Sequence, residues 1–414
     1  MAPRFVRGVT LAALLAAALT TLIWFRLGPR PHSRPPVAEP RIIGRFETDR
    51  PGALIATPWV TTDRIYLAAV RDTGLQPTGA VFCLDRATLN PIWSFDDDGA
   101  MLHMFSSPTI ADGRLYVGEG MHANFTCRLY CLDAASGRRL WDFTAGSHVE
   151  STPVVAAGRV FVGLGDDGVG CLDAATGQRI WRLETPAHVD ATPVVAGGVV
   201  YAGSGVSRRN SAEPAVYALD AETGRTRWRT AMSLPVWATP TFSDGALFVG
   251  LGNGRLLEPP RPPEQPAGAL VALDAATGAE RWRFSECDAV FGAPAADRER
   301  VYFGSRDGQC YALERANGRR AWTVPCGSPI IAGPVWAEST LVIAASGGQL
   351  WGLDPGTGTA RWKWSVPQPP RTQPRVLAPP AVHHYNGSVH IYLATELQRP
   401  NGHVGLMYIL EAPH

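Results

Sequence analysis

Short apolar runs alternate with polar turns along most of the chain. Runs such as R-L-Y-V-G (114–118) and R-V-F-V-G (159–163) are rich in β-branched and aromatic residues, and a turn containing Gly precedes each of them. Such runs are typical of short strands in antiparallel sheet. No segment from Arg41 onward keeps a helical period. The pattern therefore predicts an all-β protein.

A hairpin with the sequence C-L-D-A-A-T-G-Q-R-I-W at 171–181 recurs along the chain. Six copies have Gly four residues after the acid, and the first copy has Leu89 there. The acid can accept hydrogen bonds from turn amides, and Gly permits positive φ. The seven pairs of an acid and a Trp eight residues later are Asp85/Trp93, Asp133/Trp141, Asp173/Trp181, Asp220/Trp228, Asp274/Trp282, Glu314/Trp322 and Asp354/Trp362.

Each repeat opens with a small residue and Pro, as in Thr152-Pro153, and continues through a turn and an apolar strand into the hairpin. This order gives four short strands per unit, at a period of 40 to 54 residues. The eighth unit opens at Pro380 and stops before its Trp strand. Five of the repeats have 12 residues from Trp to the next Pro, and counting 12 back from Pro58 reaches Phe46.

The missing strand of the eighth unit is therefore predicted to come from the amino-terminal side of the first unit. We predict an eight-bladed β-propeller of four-stranded antiparallel blades over residues 41–414, in which this amino-terminal strand completes the last blade. Such closure removes open sheet edges.

The amino terminus has a different composition. Residues 8–25 carry no charge over 18 positions, which is near the lower limit for spanning a bilayer. We interpret residues 1–26 as a signal-anchor or transmembrane segment, with a cleaved signal peptide as the alternative, and residues 27–40 as a Pro-rich linker. Under both interpretations, the rest of the chain is exported across the membrane. The expected location is the periplasm, with an N-terminal helix as the tether to the inner membrane.

The formal net charge of +1 provides no electrostatic surface for nucleic acid, so we expect no nucleic-acid partner. The 43 Gly, 35 Pro and 13 Trp fit many short strands joined by turns.

Repeats of the form A-L-D-A-x-T-G-x-x-x-W, preceded by T-P-V-V and G-x-V-Y-V-G, resemble those of the eight-bladed quinoprotein-type (PQQ-like) propellers over 42–412. One branch of that family is the pyrroloquinoline-quinone dehydrogenases, which bind the quinone and calcium over the propeller axis. The other is BamB, a scaffold of outer-membrane protein assembly. Fold does not choose between these branches.

Three features favour the scaffold branch. The chain has no adjacent cysteines, whereas the resemblance implies a vicinal disulfide above the quinone in the larger dehydrogenases. The resemblance also implies enzymes that usually run well beyond the 414 residues of this chain. The longest insert, 256–268, is Pro-rich and is typical of an exposed arm. We therefore expect a membrane-tethered interaction scaffold without a cofactor, whose partner is an envelope or outer-membrane protein. The partner is expected to bind the long-loop face, which is formed by the long loops 70–79, 118–127, 205–214, 252–268 and 395–405 and by the long blade junctions 94–104 and 365–376. The alternative is a periplasmic oxidoreductase that uses PQQ with calcium, and a sugar- or peptide-binding sensor is the third hypothesis.

Candidate ligand-binding residues lie at the blade junctions on the long-loop face. His103, His148 and His188 each precede the repeat Pro by five residues, and Glu150 and Asp190 follow the second and third by two. Imidazoles and carboxylates are suitable metal ligands. A repeat duplicated together with its His, which then hydrogen-bonds a neighbouring turn, explains the same register. Spacing across blades predicts no coordination geometry, so we assign no metal and no catalytic residue.

The cysteines and tryptophans are assigned structural roles. Cys287 and Cys326 follow their Trp residues by five and four positions in adjacent junctions, and they form a candidate disulfide if the compartment is oxidising. The seven Trp of the repeats are expected to pack between blades. The resemblance implies that each docks on the turn of a neighbouring blade.

Overall fold

The computed structural model describes residues 38–72, 77–122, 124–205, 213–256, 259, 267–400 and 402–413. The predicted anchor at 1–26 and the first part of the predicted linker lie outside these residues. Among the described residues, no helix combines the length and apolar character needed to cross a membrane.

The described residues form 34 strands and one 3₁₀ turn, Asp97–Gly99. The first ten strands are β1 (Arg41–Glu47), β2 (Gly52–Ala53), β3 (Trp59–Val60), β4 (Arg64–Arg71), β5 (Thr78–Asp85), β6 (Pro91–Phe95), β7 (Thr109–Ala111), β8 (Arg114–Gly118), β9 (Arg128–Asp133) and β10 (Arg139–Thr144). The next twelve are β11 (Val154–Ala156), β12 (Arg159–Gly163), β13 (Val169–Asp173), β14 (Arg179–Leu183), β15 (Val194–Ala196), β16 (Val199–Gly203), β17 (Ala215–Asp220), β18 (Thr226–Ala231), β19 (Thr241–Ser243), β20 (Ala246–Gly252), β21 (Gly268–Asp274) and β22 (Glu280–Phe284). The last twelve are β23 (Ala295–Ala296), β24 (Arg300–Gly304), β25 (Gln309–Glu314), β26 (Arg320–Pro325), β27 (Val335–Ala337), β28 (Thr340–Ala344), β29 (Gln349–Leu353), β30 (Ala360–Ser365), β31 (Gln373–Arg375), β32 (Ala381–Tyr385), β33 (Ser388–Arg399) and β34 (Gly402–Glu411).

These strands form eight antiparallel sheets, the blades of an eight-bladed propeller. Blade 1 contains β3 to β6, and β2 pairs beside β3 on the edge of β4. Blades 2 to 7 are β7–β10, β11–β14, β15–β18, β19–β22, β23–β26 and β27–β30. Blade 8 contains β32, β33 and β34, with β31 also paired to β33 and β1 paired to β34. The all-β class, the blade count and the four-stranded antiparallel blades agree with the sequence prediction.

The repeated hairpin is built as its residues dictate. The Asp173 Oδ1 atom accepts hydrogen bonds from the Thr176 amide and hydroxyl, both at 2.8 Å, and Gly177 adopts a φ of 72°. The returning strand places Trp181 opposite Cys171, with a one-residue bulge after that pair.

Six of the repeat Trp side chains dock on the turn of the following blade. The Trp181 Nε1 atom donates to the Ala221 carbonyl at 3.1 Å, and a Cβ added at Gly224 would lie 2.6 Å from the Trp181 ring. The corresponding donors are Trp93, Trp141, Trp228, Trp282 and Trp322. Trp362 is buried in the apolar cluster between blades 7 and 8.

The strand β1 pairs with β34 in the same bulged register that the other outer strands use, with Gly44 opposite Ile409. The sequence spacing of 12 residues before Pro58 predicts that Phe46 stands at the position that Trp occupies in the other blades. In the structure Gly44 stands at that position. Phe46 lies opposite Met407 and packs on Phe82, with ring centroids 6.1 Å apart.

The core consists of apolar clusters between consecutive blades, and the cysteines lie within these clusters. All seven cysteines are buried free thiols. The candidate disulfide is not formed in the structure, because Cys287 packs between blades 5 and 6 whereas Cys326 packs between blades 6 and 7. Burial raises the pKa of the Cys326 thiol to about 12, so this thiol is unreactive near neutral pH.

Candidate functional site at the propeller axis

The junctions between blades surround a central cavity of about 300 Å³. The residue three positions before each repeat Pro lines this cavity in all eight blades. These residues are Ile55, Phe105, Glu150, Asp190, Trp237, Phe291, Ile331 and Leu377. Six of them are apolar or aromatic, so the two carboxylates interrupt an otherwise apolar ring at the entries to blades 3 and 4.

Hydroxyl side chains join neighbouring junctions around the cavity. The residue immediately before the repeat Pro carries a hydroxyl in five of the blades. The Thr57 amide donates to Ser107 Oγ at 3.0 Å, the Ser107 amide to Thr152 Oγ1 at 3.1 Å, and the Thr152 amide to Thr192 Oγ1 at 3.0 Å. These bonds hold the first four junctions in register and so position the carboxylates next to them.

Asp190 lies at the centre of a cluster of three histidines. Its Oδ1 atom is 2.7 Å from His148 Nε2, and its Oδ2 atom is 3.1 Å from His122 Nε2 and 3.3 Å from His188 Nε2. One ligand atom from each of these four residues lies within 4.8 Å of the others. His148 and His188 come from successive blade junctions, whereas His122 comes from the β8–β9 connection of blade 2. We call these four residues the His–Asp cluster.

Glu150 orients His122 from the outside of the cluster. Its Oε1 atom accepts a hydrogen bond from the His122 backbone amide at 2.8 Å and lies 2.7 Å from His122 Nδ1. When Nδ1 carries the proton and donates it to Glu150, the lone pair of Nε2 points into the cluster. Ser147 Oγ, 3.2 Å from His148 Nδ1, can accept from that ring in the same way.

Three polar atoms in the cluster are buried and have no hydrogen-bond partner. They are His122 Nε2, His188 Nε2 and Asp190 Oδ2. The two nitrogens are close to Asp190 Oδ2 in distance, but the angles do not make hydrogen bonds. Buried polar groups are nearly always paired, so three that face one point indicate a missing partner.

Trp237 closes one side of the cluster. Its ring stacks on His122 with centroids 5.1 Å apart and planes 21° apart, and it meets His188 nearly edge-on at 5.7 Å. His122 also stacks on His148 at 4.7 Å. This packing restricts the rotation of the imidazole rings.

The ionisable groups of the cluster shift one another's pKa values. Burial alone would lower the pKa of His122, but the nearby carboxylates of Asp190 and Glu150 raise it to about 10. Burial likewise opposes ionisation of Asp190, but its contacts with His122 and His148 hold its pKa well below the usual value. Burial lowers the pKa of His188. Asp190 and Glu150 therefore favour the protonated, positively charged form of His122.

Four of the five ligand-binding candidates proposed from the sequence lie in or against the His–Asp cluster. It brings His148, His188 and Asp190 together and places Glu150 against His122. His103 is not one of the converging residues. Its carbonyl accepts from the Gly120 amide at 2.8 Å, and burial lowers the pKa of its ring.

Sequence reasoning missed His122, because the other repeats have no His at the corresponding position. It lies in the 118–127 loop, which is one of the long loops on the face where ligand residues were expected. A second usable signal was the position three residues before the repeat Pro, where only Glu150 and Asp190 are charged.

The sequence matches the family described as outer membrane protein assembly factor BamB over residues 108–208, 165–258 and 264–394. BamB from Moraxella catarrhalis has a similar structure, with a TM-score of 0.63 at 17% identity over 89% of this chain and 98% of that chain. Quinohemoprotein alcohol dehydrogenase from Comamonas testosteroni gives a TM-score of 0.67 at 15% identity over 90% and 76% of the two chains. The computationally designed protein Ika8 gives 0.62 at 16% identity over 87% and 97%. No curated protein sequence matches this chain significantly.

At these identities the structural likenesses establish the shared propeller fold alone. The family match is independent of them and rests on the repeats themselves. Because the matched ranges cover more than half of the sequence, this chain belongs to the family of PQQ-like propellers described as outer membrane protein assembly factor BamB.

Proposed function

We propose that the chain is an exported interaction scaffold of the cell envelope that binds a protein partner through its long-loop face. The observation that carries this proposal is the match to the assembly-factor family along the repeats, together with an alignment that spans 98% of the Moraxella catarrhalis BamB chain. A ring of blades joined by Trp contacts is a rigid frame, and variable loops on such a frame are suited to binding.

The amino terminus supplies the tether in this proposal. Residues 1–26 anchor the chain in the inner membrane and residues 27–40 act as a spacer, so that the propeller lies in the periplasm. The β1 strand begins at Arg41, directly after the spacer, and is hydrogen-bonded to β34. In this arrangement β1 completes blade 8 and seals the ring, which leaves no open edge between the first and last blades.

Phe125 is the proposed contact point for the partner. It is 59% exposed, the largest value for any large hydrophobic side chain in the described ranges. It lies in the β8–β9 connection, which also carries His122. Exposed aromatic side chains on binding loops commonly anchor protein interfaces.

Site-specific photocrosslinking in living cells tests the scaffold role. A photoreactive residue at position 125 is expected to capture an envelope or outer-membrane protein, identified by mass spectrometry. The matched control is position 180, where Ile180 is 43% exposed on the outer strand β14. Equal capture at both positions, or capture of cytoplasmic proteins alone, would contradict the proposal.

The alternative, a quinone-dependent oxidoreductase, does not fit the described lining of the axial cavity. Pyrroloquinoline quinone is a tricarboxylate, and the described lining contains Glu150 and Asp190 but neither Arg nor Lys. Calcium prefers a shell of oxygen ligands, whereas the clustered donors here include three imidazoles. We therefore derive no step through this cofactor.

Thermal unfolding with the quinone and calcium present, combined with a dye-reduction assay, checks this conclusion. The scaffold proposal predicts neither dye reduction nor an increase in melting temperature. Stabilisation of about 2.7 kcal/mol is expected for a ligand at 100 times its dissociation constant, so true binding would be visible.

A further inference from the structure

We propose that the His–Asp cluster binds one divalent metal ion of the first transition row, such as Zn²⁺ or Co²⁺. Its ligands are His122, His148, His188 and Asp190. The inference is independent of the scaffold role, since it rests only on the donor atoms and their geometry.

The spacing of the donor atoms fits a tetrahedral ion. Metal–ligand bonds of about 2.0–2.1 Å place tetrahedral ligand atoms roughly 3.3 Å apart. Asp190 Oδ2 is 3.1 Å from His122 Nε2 and 3.3 Å from His188 Nε2, and all four residues have a ligand atom within 4.8 Å of the others. A small inward movement of the imidazole rings completes the coordination.

The unpaired atoms point to the same conclusion. His122 Nε2, His188 Nε2 and Asp190 Oδ2 are buried without hydrogen-bond partners. A metal ion accepts a lone pair from each of them at once, which no single hydrogen-bond donor can do. His148 Nε2, now 2.7 Å from Asp190 Oδ1, loses that hydrogen bond and becomes the fourth ligand.

The charges balance when the ion is bound. Two carboxylates, Asp190 and Glu150, face three imidazoles that are neutral as ligands, so a dication makes the group electrically neutral. The donor set discriminates between ions, because imidazole nitrogen suits zinc, cobalt and nickel, whereas calcium and magnesium prefer oxygen.

Glu150 acts as a positioning residue rather than a ligand. Its contact with His122 Nδ1 at 2.7 Å is the carboxylate–histidine–metal arrangement, which fixes the tautomer and strengthens the imidazole as a donor. Both Glu150 and Asp190 line the axial cavity, which provides the route by which the ion enters. The bound ion joins the β8–β9 loop of blade 2 to the junctions that enter blades 3 and 4.

The test uses the full chain, stripped of metal with a chelator and titrated with Zn²⁺, Co²⁺ and Ca²⁺. We expect one equivalent of Zn²⁺ or Co²⁺ to bind and to raise the melting temperature, and Ca²⁺ to produce no shift. The Co²⁺ form should show the intense visible absorption of four-coordinate cobalt, without the charge-transfer band of a thiolate ligand. A thiolate band would assign the ion to a cysteine and overturn the proposal.

Four variants locate the site. His188→Gln and Asp190→Asn should abolish stoichiometric binding and the cobalt spectrum. His103→Gln is the matched control, since it removes a half-buried His of the same register outside the cluster, and it should bind as the parent does. Glu150→Gln should retain the four-coordinate spectrum with an affinity weakened by about 10–100-fold, as expected for loss of a hydrogen bond to a metal ligand.

Two further results would overturn the inference: absence of stoichiometric binding by the folded parent protein, or a cobalt spectrum unchanged in both His188→Gln and Asp190→Asn. The parent spectrum decides the question even if a ligand variant fails to fold. Circular dichroism establishes which variants are folded.

Discussion

Leu89 and Gly44 exchange the roles that Gly and Trp have in the other blade contacts. Gly44 of β1 stands where the outer strands of other blades carry Trp, and a Cβ added to it would lie 3.1 Å from Leu89 Cδ1. Leu89 occupies the turn position that is Gly in six repeats, and it keeps the left-handed backbone with a φ of 60°. In this contact the large side chain therefore comes from the turn, as Leu89, and not from the outer strand.

The first prediction tests this exchange. Gly44→Val should lower the free energy of unfolding by about 1–3 kcal/mol, because the added atoms overpack the contact with Leu89 and Ile409. The same substitution in a Leu89→Gly background should cost less. Chemical denaturation of the four proteins in this cycle measures the coupling, and strictly additive effects would show that the two positions do not interact.

The second prediction concerns the Trp docking. Gly224 and Gly245 have nearly the same φ, 70° and 71°, but a Cβ at Gly224 would meet the Trp181 ring at 2.6 Å, whereas one at Gly245 meets nothing within 4 Å. Gly245→Ala should lower the free energy of unfolding by about 1–2 kcal/mol, because Ala is strained in the left-handed backbone conformation. Gly224→Ala should cost about 1–3 kcal/mol more from overpacking. Equal losses in denaturation midpoints would remove the ring contact as the reason for Gly.

The third prediction concerns a buried ion pair between blades 5 and 6. The Arg306 side chain is fully buried, and its Nε and Nη2 atoms donate to Asp288 at 2.9 and 2.8 Å. Asp288→Asn leaves the buried guanidinium without its counter-charge and should therefore lower the free energy of unfolding by about 3–5 kcal/mol.

Arg45→Ala is the control for this pair. It removes an exposed pair with Glu47 and should cost at most about 1 kcal/mol. Urea denaturation compares the two, and a similar small cost for both would mean that the buried pair is not stabilising the interface.

The fourth prediction concerns acid stability of the turns. Hydrogen bonds from Arg281 and Thr277 lower the pKa of Asp274 from 3.8 to about 2. A carboxyl group with a depressed folded-state pKa stabilises the protein above its unfolded pKa, and this stability is lost as the pH falls toward about 2. Asp274→Asn should therefore lower the melting temperature at neutral pH, and the difference from the parent should disappear by about pH 2.

Melting curves collected across this pH range check the sign. Thr223→Val, which removes the equivalent hydroxyl donor to Asp220 in the preceding blade, should give a weaker change of the same sign. A constant difference at all pH values would show that the Asp274 charge does not contribute.

Much of the fold was predictable because each hairpin is determined locally. The acid and the Gly act within one turn, so seven copies of the hairpin and the eighth unit that opens at Pro380 predict eight blades. The position of β1 was less predictable, since its pairing joins opposite ends of the chain. A count from Pro58 selected Phe46, whereas the bulge after Ile42 places Gly44 at the Trp position.

The sequence by itself determined the all-β class, the repeat and the register that places Glu150 and Asp190 in blade junctions. Only the tertiary structure decided that His122 joins His148 and His188 around Asp190, and that His103 does not. Convergence depends on how far successive blades rotate about the axis and on how one long loop folds back. Neither quantity is encoded in residue spacing, because the contacts that set it lie between strands far apart in the chain.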